Sequence, residues 1–333
     1  MKVLGSKGLV ALGFVASMAV ASVSYAADFT MKFGTATFND DQHKFIEMFK
    51  EELGHRTDRI EVEIYPQSQL GPIPRQIEGL QFGTQEAFIS PVDFYAGVDK
   101  RFGVFSAPGM FRNKAHAAQV MSDSEVQAAV DEMAKAKGML LLGQFAYGNH
   151  DYVAKDPITS IESFEGKKIR VNATEMEREA MNRLGATGVP MPLGEVMPAL
   201  QQGVIDGTRS VITIFIAFKY WDYAKTVTVI NDTMLVSVAL VSQSWFDGLP
   251  EDLQKDVLDA GQAAQARWQA ESFEFHAGLR DVWIENGGNF VELPAADQTE
   301  VISRLSTVGA DATNGDSVTG PFFELLQRVG AKY

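Results

Sequence analysis

Residues 29–66 read FTMKFGTATFNDDQHKFIEMFKEELGHRTDRIEVEIYP, and the hydrophobic period changes twice along them. Phe29, Met31 and Phe33 alternate with Thr30 and Lys32, which is the period of two that a strand imposes. Asn39 or Asp40 then stands where a helix N-cap belongs. Phe45, Ile46, Phe49 and Leu53 follow on one helical face, closed by Gly54. RIEVEIYP returns to a strand. GPIPRQIEGLQFG predicts a second helix, with Pro74 near its start and Gly83 past its end, and QEAFISP predicts a third strand. The order β-α-β-α-β requires a parallel sheet with right-handed crossovers, and therefore an α/β fold.

The same grammar continues outward. KAHAAQVMSDSEVQAAVDEMAKAKG reads as helix and MLLLGQFA as strand. KIRV is a strand running into a helix, GVPMPL is strand-like, GEVMPALQQG is a short helix and VIDG a short strand. TVTVIND and MLVSVALVSQ complete the strands. From Pro250 to Asn286 no proline follows the first residue, and Gly287 and Gly288 close the run. Unbroken, such a helix is ~55 Å long at 1.5 Å per residue, longer than a small domain of ~30 Å is wide, so it has to cross two domains. A break at Gly261 or Gly278 is the alternative. No internal repeat and no low-complexity linker marks a domain boundary.

Composition narrows the function. The chain has 333 residues, 46% of them hydrophobic and 22% charged, enough for a sizeable core and for two domains. MKVLGSKGLVALGFVASMAVASVSYA carries Lys2 and Lys7 before a short apolar run. Ser24 and Ala26 sit where a signal peptidase reads, so residues 1–26 are expected to be an export signal with the mature chain starting at Ala27. Removing those two lysines takes the formal charge from -14 to -16. An acidic chain repels nucleic acid and anionic lipid, which argues against such partners. With no cysteine, thiol chemistry and Cys zinc sites are excluded, and export without disulfides suits a bacterial periplasm.

Catalytic and cofactor motifs do not emerge. The five histidines, His43, His55, His116, His150 and His276, form no i, i+4 pair. There is no G-x-S-x-G elbow, no phosphate loop and no G-x-G-x-x-G turn. DATNGDSVTG misses calcium-loop spacing, with Thr313 at the third position. No cofactor and no metal is expected.

One residue breaks the pattern. A parallel strand covered on both faces reads as an apolar run, and Ile169 and Val171 obey that. Arg170 lies between them at the strand's carboxyl end, where open α/β sheets place their ligand crevice. Its planar, always-charged fork of donors suits a carboxylate. A surface or structural ion pair, with Glu175 or Glu179, is the alternative.

LGPIPRQIEGLQFGTQEA, SFEGKKIRV, MPLGEVMPALQQGVIDG and SWFDGLPEDLQKDV follow one another through the chain. In that order they resemble the DctP-type solute receptors of TRAP transporters across essentially the whole mature sequence. The resemblance implies a two-lobed periplasmic binding protein fold with a long helix spanning both lobes. It implies a monomer that closes on a small organic acid without chemistry and docks on the small and large subunits of a sodium-driven permease. Lobe I is expected to take residues 27–146 and 236–270, and lobe II residues 147–235 and 271–333. The family's carboxylate-clamping arginine matches Arg170, and Asn172 and Glu175 in the following turn are expected to face the ligand. Where the family has DGQEN this chain has Asp206 to Ser210, which puts Ser210 at the ligand-contacting Asn and offers Arg209 as a second cation. His150 stands where sialic-acid receptors carry another arginine, and Pro192-Leu193 replaces Pro-Phe, departures that argue against sialic acid. Ser90, Pro91 and Phe94 fall on the first-lobe rim, and Phe215 and Tyr220 are candidates for an apolar wall. Glu195 and Asp206 are read as bracing their turns. A secreted hydrolase using dispersed acids, or a receptor feeding a sensor kinase, are the competing functions.

Overall fold

The computed structural model describes residues 27–333; the export signal expected at 1–26 lies outside the described residues. The chain opens with β1 (Phe29–Thr35), α1 (Asp41–Gly54), β2 (Ile60–Tyr65), α2 (Ile73–Phe82) and β3 (Ala87–Pro91). Asp40 is the cap that starts α1, its carboxylate accepting from the His43 N–H at 3.0 Å. Pro72 and Pro74 fix the entry to α2, and Gly83, at φ 70°, ends it in the left-handed conformation that glycine adopts without steric cost. After two 3-10 turns come α3 (Lys114–Ser122) and α4 (Ser124–Lys135). The expected single helix is divided at Asp123, whose extended backbone ends α3 while its carboxylate caps α4.

Next are β4 (Met139–Ala154), β5 (Lys168–Val171), α5 (Glu175–Arg183), β6 (Thr187–Pro190), α6 (Val196–Gln201), β7 (Gly207–Ser210), α7 (Ile212–Ala217) and β8 (Thr226–Ser242). The chain closes with α8 (Gln243–Phe246), α9 (Glu251–Ala277), α10 (Leu279–Glu285), β9 (Asn289–Glu292), α11 (Ala295–Leu305), α12 (Val308–Thr313) and α13 (Thr319–Gly330). Among the described residues no helix is long and apolar enough to cross a membrane.

The sheet runs β2-β1-β3-β8-β4-β7-β5-β6, with β9 beside β8. Its two ends are parallel, as the β-α-β order requires: β1 pairs with β2 and β3, and β5 pairs with β6 and β7. The middle is antiparallel, because β4 and β8 are long and run against each other and against β3 and β7. The sheet is therefore mixed rather than wholly parallel. The 16 residues of β4 and 17 of β8 each serve both ends. Met139–Ala146 lies against Val236–Ser242 on the β3 side, and Asp151–Val153 lies against Val227–Val229 on the β7 side. The register shifts between Ala146 and Gly148 and again between Asn149 and Asp151. These two strands join the halves of a two-lobed α/β binding-protein fold.

The long C-terminal helix forms largely as expected. α9 runs unbroken through Gly261, and Gly278 separates it from α10, so the pair spans the regions that connect the lobes. Gly261 is tolerated for a packing reason: a Cβ there would sit 2.2 Å from the Leu142 carbonyl oxygen, so only glycine lets α9 lie this close to β4. One apolar cluster is clamped between α1, α9 and the first half of the sheet, with Phe33, Phe45, Phe49, Leu142 and Trp268 at its centre. A second, larger cluster fills the rest of the molecule, from Leu80 and Phe88 to Val171, Phe215 and Trp283.

Candidate functional site

The carboxyl ends of the parallel strands from both halves point at one small cavity. Thr37 follows β1, Gln42 lies in the first turn of α1, and Pro91 ends β3, with Phe94 just beyond. From the other half come Arg170 on β5, Asn172 after it and Ser210 at the end of β7. Tyr147 on β4 and Leu235 on β8 complete the lining where the two crossing strands pass. The cavity measures about 20 Å³, close to the space one water molecule requires.

Arg170 dominates this site. It is 1% exposed between Ile169 and Val171, which are fully buried. The side chain reaches over the end of β6, where Nε and Nη2 donate to the Met191 carbonyl at 3.0 and 2.8 Å. Nη1 donates to no protein atom among the described residues, and no carboxylate pairs with the guanidinium there. The Phe94 ring centre lies 6.0 Å from the guanidinium carbon. Burial pulls the arginine below its usual pKa, opposed by Tyr220, Glu177 and Asp93 at longer range. A buried cation is costly unless paired, so this side chain is arranged for an anion that the protein does not itself supply.

Asn172 lines the same cavity and donates across the cleft to Asp93 at 2.8 Å, and Ser106 donates to the other Asp93 oxygen. Burial holds the Asp93 carboxyl above the usual range. Behind this layer lies a second arginine in the opposite electrostatic condition. Arg209 donates to Glu177 at 3.2 Å and to both oxygens of Asp232 at 3.2 Å, and Tyr152 donates to Asp232 at 3.0 Å. Burial lowers its pKa, but Asp232, Tyr152 and Glu177 more than compensate and hold it above the ordinary value. Burial, with Asp93 nearby, pushes Glu177 up. His150 lies 3.9 Å from Glu177, fully enclosed, and neither ring nitrogen has a hydrogen-bond partner. Burial and the two arginines hold it well below its usual pKa, hence neutral.

The model of DctP, bacterial extracellular solute-binding protein family 7, matches residues 33–314. The chain belongs to the DctP family. A 2,3-diketo-L-gulonate-binding periplasmic protein of Escherichia coli strain K12 is 27% identical over 254 residues, covering 75% of this chain and 77% of that protein. A TRAP periplasmic solute-binding protein from Desulfovibrio salexigens, crystallised with orotic acid, superposes with a TM-score of 0.84 at 22% identity, over 91% of this chain and 99% of that one. Another, from Haemophilus influenzae RdAW with bound L-gulonate, gives a TM-score of 0.85 at 19% identity, over 92% and 100%. As a DctP-family member the protein is a bacterial extracellular solute-binding protein and not an enzyme, which removes the hydrolase alternative.

Within this DctP receptor the residues singled out from sequence separate into two groups. Arg170, Asn172, Ser210 and Phe94 share the cavity, together with Pro91 and Leu193. The others do not line it. Glu175 is exposed on the first turn of α5, while Glu177, two residues on, is the buried acid. Arg209 and His150 lie in the layer behind, the arginine already neutralised by two acids. Ser90 is buried against its own strand end, its hydroxyl on the Pro91 carbonyl. Phe215 packs between Tyr220 and Trp283 in the core. Sequence reasoning did not single out Thr37, Gln42 or Tyr147. The available signal was Asp40, an N-cap whose acid also binds Thr37 and Tyr147.

Proposed function

We propose that this receptor captures a small organic acid by seating its carboxylate on Arg170, with Asn172, Ser210 and Phe94 around it. It then delivers the acid to the small and large membrane subunits of a sodium-coupled TRAP permease. The observation that carries the reading is the buried Arg170 guanidinium, which has a donor still free and no acidic partner among the described residues. The acids named with the relatives, orotic acid and L-gulonate among them, agree with this chemistry.

The moving bodies in this reading are lobe I, residues 27–146 with 236–270, and lobe II, residues 147–235 with 271–333. The change of strand partners near Ala146 and Val236 supports that division. A cavity of about 20 Å³ admits no organic acid, so loading requires the lobes to part. Closure then excludes water and strengthens the pair in a low dielectric. Residues 1–26 would direct export, and the receptor would act as a monomer.

A thermal-shift screen of the wild type against a panel of organic acids tests the binding step, because a ligand of the folded state raises its melting point. At least one acid should stabilise the wild type and fail to stabilise Arg170→Met. Equal stabilisation of both proteins defeats the assignment. Reconstituted uptake with the membrane pair tests delivery: the acid should enter only with receptor and a sodium gradient together. Binding without such uptake removes the permease from the account.

A further inference from the structure

The polar groups facing Arg170 across the cavity are biased in what they can accept. Thr37 donates its hydroxyl proton to Asp40 at 2.7 Å, and Tyr147 donates its own to the other oxygen of the same carboxylate. Asp40 is fully buried and also accepts the His43 N–H, so its oxygens are taken up inside the protein. A hydroxyl has one proton and two lone pairs. Once each proton is committed to Asp40, Thr37 and Tyr147 present only acceptor lone pairs to the cavity they line. Gln42 gives one amide hydrogen to Ser237 at 2.9 Å, and its oxygen accepts from Thr35 at 3.1 Å, which leaves one N–H on the cavity side beside the two hydroxyls. Behind them stands a second fully buried acid, Asp41, held by His276 at 2.7 Å.

The site is thus graded in charge and in hydrogen-bond sense. One side holds donors on a cation. The other holds the Thr37 and Tyr147 acceptors, with a single Gln42 N–H beside them, backed by two buried acids. Between them the wall is apolar, formed by Ile73, Pro91, Phe94, Leu193, Ile214 and Leu235. A second carboxylate, or an oxo group, placed against Thr37 and Tyr147 would meet lone pairs and negative charge. A hydroxyl or an ammonium group would find acceptors ready.

We propose that the ligand is a monocarboxylate with a compact apolar body and a hydrogen-bond-donating group, hydroxyl or ammonium, that Thr37 and Tyr147 read. This rests on the carboxylate lying on Arg170. It selects, among organic acids, against dicarboxylates and against simple oxo acids.

Calorimetry on matched sets tests it. The three-carbon set is propanoate, lactate, alanine, pyruvate and malonate, with the corresponding four- and five-carbon sets in each positional isomer. The expected result is a hydroxy or amino acid binding about ten- to a hundredfold tighter than the unsubstituted acid of the same length, the range set by one buried hydrogen-bond partner. The oxo acid and the diacid should be weaker than the donor-bearing acid. Tyr147→Phe and, independently, Thr37→Val should shrink the ratio of donor-bearing to unsubstituted acid, with thermal melts confirming that at least one variant is folded. If the unsubstituted acid, oxo acid or diacid binds best while Arg170→Met abolishes binding, the proposal is overturned and the receptor reading stands. If Arg170→Met binds as tightly as wild type, the seating of the carboxylate on Arg170 itself fails.

Discussion

Replacing Arg170 by methionine should lower affinity far more than it changes unliganded stability, and the structure sets both sizes. Without ligand, the substitution removes two bonds to the Met191 carbonyl, at 3.0 and 2.8 Å, each worth about 1.5–3 kcal/mol as a hydrogen bond to a charged group. It also removes a buried cation with no acidic partner, a penalty of several kcal/mol. The two effects oppose each other, so the unliganded variant should unfold within about 2 kcal/mol of wild type, in either direction. With ligand the balance changes, because methionine leaves the carboxylate buried and unpaired, a loss of about 3–5 kcal/mol. At about 1.4 kcal/mol per tenfold, affinity should fall by two to three orders of magnitude or slightly more. Arg170→Lys keeps the charge but has no planar fork to hold Met191 and a carboxylate together, and should lose about ten- to a hundredfold. Calorimetry gives the affinities and urea unfolding of the unliganded proteins gives the stabilities. If Arg170→Met loses more than about 3 kcal/mol of unliganded stability and little affinity, the arginine is a brace for β6 and the argument fails.

Three further outcomes follow from other features. Arg209→Met should cost about 3–5 kcal/mol in urea unfolding, because Glu177 and Asp232 are left buried without their cation; an unchanged midpoint would contradict the pairing described. Gly261→Ala should destabilise by about 1–3 kcal/mol despite alanine's better helix propensity, since its Cβ would collide with the Leu142 carbonyl; a raised melting temperature would refute the close approach. Burial, then Asp232, push the Asp151 carboxyl up to about 8 from 3.8. The folded state therefore holds a proton there that the unfolded state has released, and this residue's contribution to stability falls as pH rises from about 4 to about 8, by at most ~1.4 kcal/mol per pH unit. Unfolding of wild type and Asp151→Asn at pH 5 and pH 7.5 should show the variant gaining on wild type at the higher pH; parallel profiles would remove the premise.

How much of this was visible in the residues depends on how locally each signal is written. The parallel ends of the sheet were legible because each strand and helix there carries its own period and its own cap, as with Asp40 and Gly83. The middle was not. TVTVIND and MLVSVALVSQ looked like two strands because Asn231 and Asp232 interrupt the apolar run. In the fold β8 passes through both, with Asn231 at φ 58° and Asp232 neutralised by Arg209 and hydrogen-bonded by Tyr152, partners 23 and 80 residues away in sequence. Arg170 stood out because a charge between two branched apolar residues has no explanation in the strand itself. Thr37, Gln42 and Tyr147 left no comparable mark: a threonine in a loop and a glutamine in a first turn look the same whether water or another segment covers them. Glu175 and Glu177 make the same point within α5, since helical period alone did not say which acid turns inward.

The paired β4 and β8 have one more implication, for anyone who would take the molecule apart. Neither half owns a complete sheet, because each borrows its central two strands from segments that continue into the other. A fragment cut at Ala146 or Leu235 would carry a raw strand edge open to pairing with its neighbours, the usual route to aggregation. Receptors with new tastes are therefore better made by repainting the cavity in place than by grafting one half onto a foreign partner.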